Sequence, residues 1–186
     1  MKYRQLTIEE QTQLLKQGCT ATDWAKVEVV EGFMPEYVRN VAFSGEVRLG
    51  RFERVFTQPG GFEVHSGVYY ARLHNVTIGD NCYIDRVHNY IANYEIGNDV
   101  FIENTNLVVV DGETTFGNGV RVPVMNESGG REVPIYDNLS AHLAYILTLY
   151  RHEREMIAEL ERLLDEYVEN QKSEVGKIGD NVRIVN

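Results

Sequence analysis

Three histidines, His65, His74 and His88, are the side chains of this sequence that are best suited to move a proton during a reaction. A general base removes a proton from an acceptor hydroxyl or amine, and histidine fills this role most often. His74 and His88 stand in similar phrases, Leu73-His74-Asn75 and Val87-His88-Asn89, whereas His65 follows a Pro-Gly-Gly interruption. The plainer alternative is that each is an exposed polar side chain on a polar surface. Both interpretations stay open from the sequence.

Two carboxylates, Asp85 and Glu103, form a second candidate pair because 18 residues separate them. If parallel strands stack at this interval, the two side chains lie about 5 Å apart, and their repulsion raises the pKa of one carboxyl group. Acidic residues are also ordinary at the turn positions that these two occupy. We therefore favour packing at a turn over paired-carboxylate catalysis.

A metal site is not predicted. Cys19 and Cys82 are far apart and form no CxxC pair, so the cysteines indicate neither a disulfide framework nor a zinc site. No three histidines recur at a spacing that would bring them to one zinc ion.

A short repeat must position these side chains. The phrase Ile78-Gly79-Asp80-Asn81 returns, with small changes, at residues 96–99, 116–119 and 178–181, and another apolar residue follows six positions after each start. The interval from Ile78 to Ile96 is 18 residues, or three hexads. Hexapeptide periodicity is typical of parallel β-helices, in which each side is a short strand with one inward aliphatic residue. The Gly, Asn and Asp residues suit the turns between sides, so the pattern predicts a mainly β fold with a three-sided parallel β-helix.

The sequence resembles the hexapeptide-repeat superfamily over residues 43–124 and again from Val175. The superfamily's loose pattern, an aliphatic residue followed by Gly, Ala, Asp or Glu, is met at Ile78-Gly79, Ile84-Asp85, Ile96-Gly97, Ile102-Glu103 and Phe116-Gly117. This resemblance implies a left-handed β-helix, whereas parallel crossovers in general are right-handed. The chain is also similar to an uncharacterised family of long bacterial hexapeptide-repeat proteins that carry a sugar-nucleotide-transferase label.

The resemblance also implies a function. Members of the superfamily are mostly acyltransferases that use acyl-CoA, or C-terminal halves of sugar-1-phosphate nucleotidyltransferases, and many are trimers. The acyltransferases commonly place a general-base histidine in a loop between coils, which makes His65, His74 and His88 the expected catalytic residues. We expect a transferase-like protein that acts on an activated sugar or acyl donor, with acyl-CoA or a nucleotide sugar as co-substrate and no permanently bound cofactor. The alternative is a non-catalytic β-helix scaffold or oligomerisation module of a longer protein.

Helical segments interrupt the repeat at two places. Residues 7–10, Thr-Ile-Glu-Glu, have the spacing of a capping box and predict a short helix over 7–17. From Asn138 to Gln171, apolar residues at three-four spacing predict one long amphipathic helix or two helices with a bend. A departure from the repeat at 126–130 marks a candidate functional loop. The predicted division is 1–36 as an N-terminal helical cap, 37–136 as the hexapeptide β-helix, 137–172 as a long helical insertion, and 173–186 as a resumed and truncated β-helix strand.

Charge and hydropathy narrow the class of partner. The net charge of −10 argues against nucleic acid or an anionic membrane surface, because either partner requires clustered Lys and Arg. No apolar run reaches membrane-spanning length, and the N-terminus lacks an apolar leader, so we expect a cytoplasmic protein. The expected partners are a small-molecule substrate and further copies of the chain, in a trimer or a dimer.

Overall fold

The computed structural model describes residues 2–123 and 132–186, so the predicted loop at 126–130 lies outside the described residues. The chain divides into two compact units. The first comprises Met1–Asp111 and Val175–Asn186, and the second comprises Gly112–Glu174. In the part of the chain that is described, none of the helices combines the length and the apolar character needed to cross a membrane.

The elements follow one another along the chain with short connections. They are β1 (Tyr3–Gln5), α1 (Ile8–Lys16), β2 (Thr20–Ala21), β3 (Val27–Val30), β4 (Val38–Leu49), β5 (Val55–Thr57), β6 (Glu63–His65), β7 (Gly67–Ile78), β8 (Tyr83–Asp85), β9 (Tyr90–Ile96), β10 (Phe101–Glu103), β11 (Leu107–Val109), β12 (Val120–Pro123), β13 (Glu132–Ile135), α2 (Ala141–Leu149), α3 (Arg154–Gln171), β14 (Gly176–Ile178) and β15 (Arg183–Val185). Single 3₁₀ turns lie at Trp24–Lys26 and Pro35–Tyr37.

The first unit is built on a mixed sheet of 11 strands. Its main path runs β1-β3-β4-β7-β8-β10-β15, while β2 pairs with β4, β9 pairs with β7, and both β11 and β14 pair with β9. The pair β1–β3 is antiparallel, and the other pairs of this sheet are parallel. A separate antiparallel hairpin, β5–β6, leaves the sheet between β4 and β7.

The predicted left-handed parallel β-helix with its helical cap and insertion is therefore wrong. The structure is a mixed α/β fold with one large sheet of 11 strands and three α-helices in the described residues. Strands β4 and β7 are each 12 residues long, twice the length of a hexad, and β1 runs antiparallel to its neighbour. The repeat determines which residues face each other across parallel strands. This local signal does not specify how many strands join, how long they are, or which antiparallel strand completes the sheet.

Residues of the repeat do face each other in the sheet. Ile78 pairs with Ile96, which pairs with Ile178 on its other side, and Ile102 lies between Ile84 and Ile184. In three of the phrases the backbone has positive φ at the fourth residue, Asn81, Asp99 or Asn181, and not at the glycine. The phrase at 116–119 differs, because Phe116, Gly117 and Gly119 all have positive φ. Asn and Asp tolerate this conformation better than other non-glycine residues, so they mark where the chain turns between strands.

Helix α1 confirms the capping box seen in the sequence. The Thr7 hydroxyl accepts a hydrogen bond from the Glu10 N–H, and the Glu10 carboxylate accepts one from the Thr7 N–H. Arg4 donates two further hydrogen bonds to the same carboxylate, at 2.8 and 2.9 Å. The helix buries Leu14 in the core of the first unit, so a local signal and a tertiary contact specify the same helix.

The second unit has a core of its own. Strands β12 and β13 form an antiparallel hairpin. Of the two alternatives predicted for the helical segment, one long helix or two helices with a bend, the structure has two helices, α2 and α3. Val133, Leu147, Ile157 and Leu164 make up its buried apolar cluster. The Tyr167 hydroxyl donates a hydrogen bond to Asp137 at 2.5 Å, which links α3 to the segment before α2.

We expect Ile84→Ala to lower the free energy of unfolding of the first unit by about 2 to 5 kcal/mol, because the deletion leaves a cavity in a close-packed core. Ile84 is fully buried, whereas Ile8 is 80% exposed. The matched control Ile8→Ala should therefore change stability by less than about 0.5 kcal/mol. Urea unfolding followed by the fluorescence of Trp24, the single tryptophan of the chain, measures both. Equal effects of the two substitutions would contradict the assignment of Ile84 to the core.

Candidate functional site

A cleft of about 850 Å³ lies in the first unit, over strands β2, β4, β7, β9 and β11. Its floor contains the buried Phe43 and Leu73. Small side chains on the outer face, such as Ala42 and Ala92, leave the space above the floor open. The walls include two larger side chains, Tyr90 and Leu107, whose exposed fractions are 41% and 42%. Ligand sites in proteins are commonly apolar clefts of this size with a few polar groups.

His74 and Ser44 form the polar pair of this cleft. They lie opposite each other in the β4–β7 register, and the Ser44 Oγ is 2.7 Å from the His74 Nδ1. The Asn75 side chain is 3.1 Å from the other ring nitrogen, Nε2. Successive strands thus bring a hydroxyl and an imidazole to one wall of an apolar cleft.

The hydrogen-bond network assigns the proton of the His74 ring. The Asn75 Oδ1 accepts a hydrogen bond from the Glu46 N–H at 3.0 Å, so the Asn75 amide nitrogen must be the atom that faces His74. An amide nitrogen donates only, and the His74 Nε2 therefore accepts. The proton of the neutral ring lies on Nδ1 and is donated to the Ser44 Oγ. In this arrangement Ser44 orients the ring and is not activated as a nucleophile.

Arg72 supplies the positive charge at the cleft. Its side chain is exposed, lines the cleft, and makes no ion pair with any residue that the structure describes. Asp111 lies at the same cleft and is also exposed. Most other arginines of the first unit are paired with carboxylates, among them Arg4, Arg48 and Arg54. A guanidinium without an acidic partner is available to bind a phosphate or carboxylate of a ligand.

His88 lies in a smaller depression of about 210 Å³. This depression shares Thr20, Ala42 and Arg72 with the larger cleft. The Asn104 amide donates to the Asn186 carbonyl at 3.2 Å, so its Oδ1 accepts from the His88 Nε2–H at 2.9 Å. His88 is therefore held as a donor at a site next to His74.

His65 is not part of either depression. Its ring stacks on Tyr37 with the ring centroids 3.5 Å apart and the planes 7° apart, and its Nδ1–H donates to the Ser66 carbonyl at 2.9 Å. The structure thus places two of the three predicted histidines at adjacent depressions and the third elsewhere. Their predicted catalytic role stays a prediction.

Asp85 and Glu103 face each other across β8 and β10, as their spacing predicts. Arg86 lies between them and pairs with both carboxylates, and the Tyr83 hydroxyl donates to the Asp85 Oδ2 at 3.2 Å. Burial raises the pKa of Asp85, Arg86 opposes that rise, and Glu103 adds to it to a smaller degree. Neither carboxylate lines the cleft. The pair belongs to an ion-pair network in which Asp85 is buried and Arg86 is exposed, and it contributes to packing rather than to this site.

The cysteines are free thiols buried in the core. Burial raises the pKa of Cys82 to about 12, which disfavours the thiolate that a cysteine nucleophile requires. Within the described ranges, no group of three or more His, Cys, Asp or Glu side chains is arranged to hold a metal ion.

Sequence reasoning missed Ser44, Arg72, Tyr90 and Leu107. Ser44 and His74 are 30 residues apart, because the β5–β6 hairpin lengthens this connection beyond the 18-residue interval of the repeat. The sequence signal that could have indicated the cleft is the alternation of inward and outward residues along the strands. Along β4, apolar Val41 and Phe43 are buried, while small Ala42 and Ser44 are only partly covered. Small residues on the outer face of a strand are what leaves room for a cleft.

We expect Asp85 to reduce stability as the pH rises. The pKa of Asp85 is raised in the folded state. At a pH between the ordinary and the raised pKa, the folded chain therefore holds the Asp85 proton more tightly than the unfolded chain does. Compared with Asp85→Asn, the wild type should therefore become relatively more stable as the pH falls through that window. Urea unfolding of both proteins across the acid range measures the difference.

Glu10→Gln should give the opposite sign and serves as the contrast. The hydrogen bond from Arg4 lowers the pKa of Glu10. The stability that Glu10 provides is present above its unfolded pKa and is lost as the pH falls through the lowered folded value. If both substitutions gave the same sign of pH dependence, the buried setting of Asp85 would be disproved.

Comparisons with known proteins give a family but no described function. The chain is 26% identical over 187 residues to an uncharacterized protein of Treponema pallidum (strain Nichols). The match covers 95% of this chain and 26% of that protein, so the chain spans about a quarter of its relative's length. No solved structure matches the chain.

The family match also corrects the resemblance drawn from the repeat. The family model that matches, over residues 3–186, is the Domain of unknown function (DUF4954), and neither match names a hexapeptide-repeat family or a sugar-nucleotide transferase. The phrases at 78–81, 96–99 and 178–181 coincide with tight turns between parallel strands, and this local feature carries too little information to identify a family. The match covers nearly the whole chain, and the chain therefore belongs to the DUF4954 family.

Proposed function

We propose that the chain is transferase-like and binds an activated donor, a nucleotide sugar or an acyl-CoA, in the cleft over β4, β7 and β9. The observation that carries this proposal is the His74–Ser44 pair, 2.7 Å apart on the wall of an 850 Å³ apolar cleft. Arg72, unpaired among the described residues, adds a charge of the sign that donor phosphates require.

Donor binding follows from the chemistry that the two donor classes share. Both carry a diphosphate and an aromatic base. The Arg72 guanidinium is suited to the diphosphate, since its planar donors match phosphate oxygens. The exposed ring of Tyr90 offers a stacking surface for the base, and the apolar floor at Phe43 and Leu73 excludes water from the reacting end. This arrangement does not distinguish an acyl chain from a sugar, so both classes stay within the proposal.

His74 takes the proton of the acceptor in this proposal. An acceptor hydroxyl or amine approaches Nε2 and displaces the Asn75 amide, which keeps its second hydrogen bond to the Asn93 Oδ1. The acceptor proton passes to Nε2 as the acceptor attacks the donor, and the leaving group departs as a thiolate or a nucleotide. The Ser44 Oγ accepts the Nδ1–H throughout, which holds the ring and stabilises the imidazolium. Ser44 is thus a positioning residue.

We expect thermal unfolding to reveal one donor class. A ligand at 100 times its dissociation constant stabilises the folded state by about 2.7 kcal/mol, so either acyl-CoA compounds or nucleotide sugars should raise Tm. Arg72→Ala should abolish the rise. Arg39→Ala is the matched control, because Arg39 is exposed and lines neither depression. No rise in Tm with either donor class would exclude donor binding at this cleft.

We expect His74→Ala to retain donor binding and to lose transfer at least a hundredfold, since general base catalysis contributes about 10²-fold or more. Ser44→Ala should lower kcat by a smaller factor with little change in the donor's KM. His142→Ala is the control, because His142 is exposed on α2 in the second unit. Steady-state rates with the donor class found by thermal unfolding decide the matter, and full activity of His74→Ala would contradict the assigned role.

A second candidate is a non-catalytic module that holds copies of the chain together, as a trimer or a dimer. It is favoured by the exposed apolar side chains of the second unit, among them Tyr145 and Leu149 on α2 and Leu163 on α3. Sedimentation velocity of the wild type and of Leu163→Glu distinguishes the candidates. Self-association that Leu163→Glu abolishes, together with no response to either donor class, would support the module.

The cytoplasm is the compartment that fits the donor proposal. Nucleotide sugars and acyl-CoA compounds are made there. The free thiols of Cys19 and Cys82 are also compatible with a reducing compartment.

A further inference from the structure

The end of the large sheet at β14 and β15 has a free edge. Among the described residues, β14 pairs only with β9 and β15 pairs only with β10. A short turn, Gly179–Asn181, connects the two strands on the way from Ile178 to Arg183. Free strand edges present unpaired N–H and C=O groups and are sites for the addition of another strand.

Three earlier turns are stacked next to this one in the sheet, and in each of them close packing explains why the residue is glycine. A Cβ atom built at Gly50, Gly79 or Gly97 would lie 2.5 to 2.6 Å from an atom of the next turn. None of these glycines has φ in the left-handed region, so close approach alone excludes a side chain. Glycine at each of these positions is therefore explained by another turn packed against it.

Gly179 occupies the same place in its phrase, but no further turn among the described residues packs against it. Its φ is also outside the left-handed region, yet nothing lies within 4 Å of a Cβ atom built there. Alanine would fit this position and would restrict the unfolded chain more than glycine does. The glycine has a structural reason only if a further turn packs against it.

Hydrogen bonds of the stacked turns show what that further turn must provide. In the three earlier turns, the glycine N–H donates to the isoleucine carbonyl of the next turn, at 2.8 to 2.9 Å. The pairs are Gly50 to Ile78, Gly79 to Ile96 and Gly97 to Ile178. The Gly179 N–H is the next donor of this series and has no acceptor among the described residues.

A second series involves the residue after each glycine. The N–H of this residue donates to the Asp or Asn side chain one turn on, at 2.6 to 2.9 Å. The pairs are Arg51 to Asp80, Asp80 to Asn98 and Asn98 to Asp180. The Asp180 N–H continues the series without an acceptor in the described residues. A turn that continued both series would offer a carbonyl followed, two residues later, by an Asp or Asn side chain.

The apolar core is open at the same end. Ile84 and Ile102 are fully buried, whereas Ile184, which follows them in the register, is only partly buried. Ile178 is likewise partly exposed, although its neighbour Ile96 is buried. Val185 is 52% exposed. The added segment must therefore carry aliphatic residues at the positions of Ile178 and Ile184.

We propose that the edge formed by β14, the Gly179–Asn181 turn and β15 binds one further strand–turn–strand segment of this family's own polypeptide. The segment runs parallel to β14 and β15 and carries an aliphatic residue followed two positions later by Asp or Asn, with a second aliphatic residue six positions after the first. Its aliphatic carbonyl accepts from the Gly179 N–H, and its Asp or Asn side chain accepts from the Asp180 N–H. The match to the Treponema relative covers 26% of that protein, so the family's polypeptide has room for such a segment.

The test extends the chain by one copy of its own residues 87–103. Glu103 pairs with Asp85 on one side and Val185 on the other, so Asn186 corresponds to residue 86, and a copy of residues 87–103 continues the register after Asn186. We expect amide exchange at Gly179 and Asp180 to slow at least tenfold in the extended protein and Tm to rise. A scrambled extension of the same composition should change neither.

Gly179→Ala separates the proposal from a nonspecific effect of the added residues. In the 186-residue chain it should leave Tm unchanged or slightly raised, because nothing lies near the built Cβ atom. In the extended protein it should cancel both gains. Gly97→Ala should lower Tm in both proteins, because its Cβ would lie 2.9 Å from the backbone atoms Asp180 N and Gly179 C, closer than a Cβ atom can approach.

Three results would overturn the proposal. The first is unchanged exchange at Gly179 and Asp180 on extension, and the second is a Gly179→Ala variant that keeps both gains. The third is protection of these amides already in the 186-residue chain, with self-association that Gly179→Ala abolishes, which would make a second copy of the chain the occupant. Donor binding at the cleft is measured separately, so failure of either proposal leaves the other standing.

Discussion

Close backbone approach at the turns between parallel strands is the constraint on which the large sheet depends. Where one turn follows another, the chains come so near that only glycine fits, as at Gly79 and Gly97. That proximity fixes the register of neighbouring strands, and the register aligns the buried isoleucines. The register of β4 and β7 shifts by one residue between Ser44 and Val47, so the turn at Gly50 and Gly79 does not by itself place Ser44 opposite His74. The polar pair at the cleft depends on this irregularity as well as on the packed turns.

Chemistry at the cleft depends on a short chain of oriented groups. The Glu46 N–H sets the direction of the Asn75 amide, the amide sets the acceptor nitrogen of His74, and the remaining ring proton is directed at Ser44. Each link is a backbone or side-chain atom on adjacent strands, which makes the arrangement rigid. Arg72 is the exception, because its side chain has no partner in the described structure and keeps the freedom to follow a ligand. The cleft thus combines a rigidly held histidine, His74, with an arginine, Arg72, whose side chain is free to move.

How much of this structure the sequence predicts depends on how far apart in the chain the interacting residues are. Thr7 and Glu10 specify a helix through contacts three residues apart, and that helix is present. The interval between Ile78 and Ile96 specifies parallel pairing, and the two residues do pair. The same interval is silent about the antiparallel strand β1 and the length of β4, so the architecture inferred from it was wrong. The Ser44–His74 pair was missed because it spans the inserted β5–β6 hairpin.

Insertion of the second unit imposes an order on folding. The contact between Asn98 and Asp180 spans 82 residues, whereas that between Asp80 and Asn98 spans 18. Closing the longer loop costs about 1.3 kcal/mol more in chain entropy if the intervening residues are unstructured. A folded second unit shortens the flexible part of that loop. Strands β14 and β15 are therefore expected to join the sheet last, after both the earlier parallel strands and the inserted unit have formed.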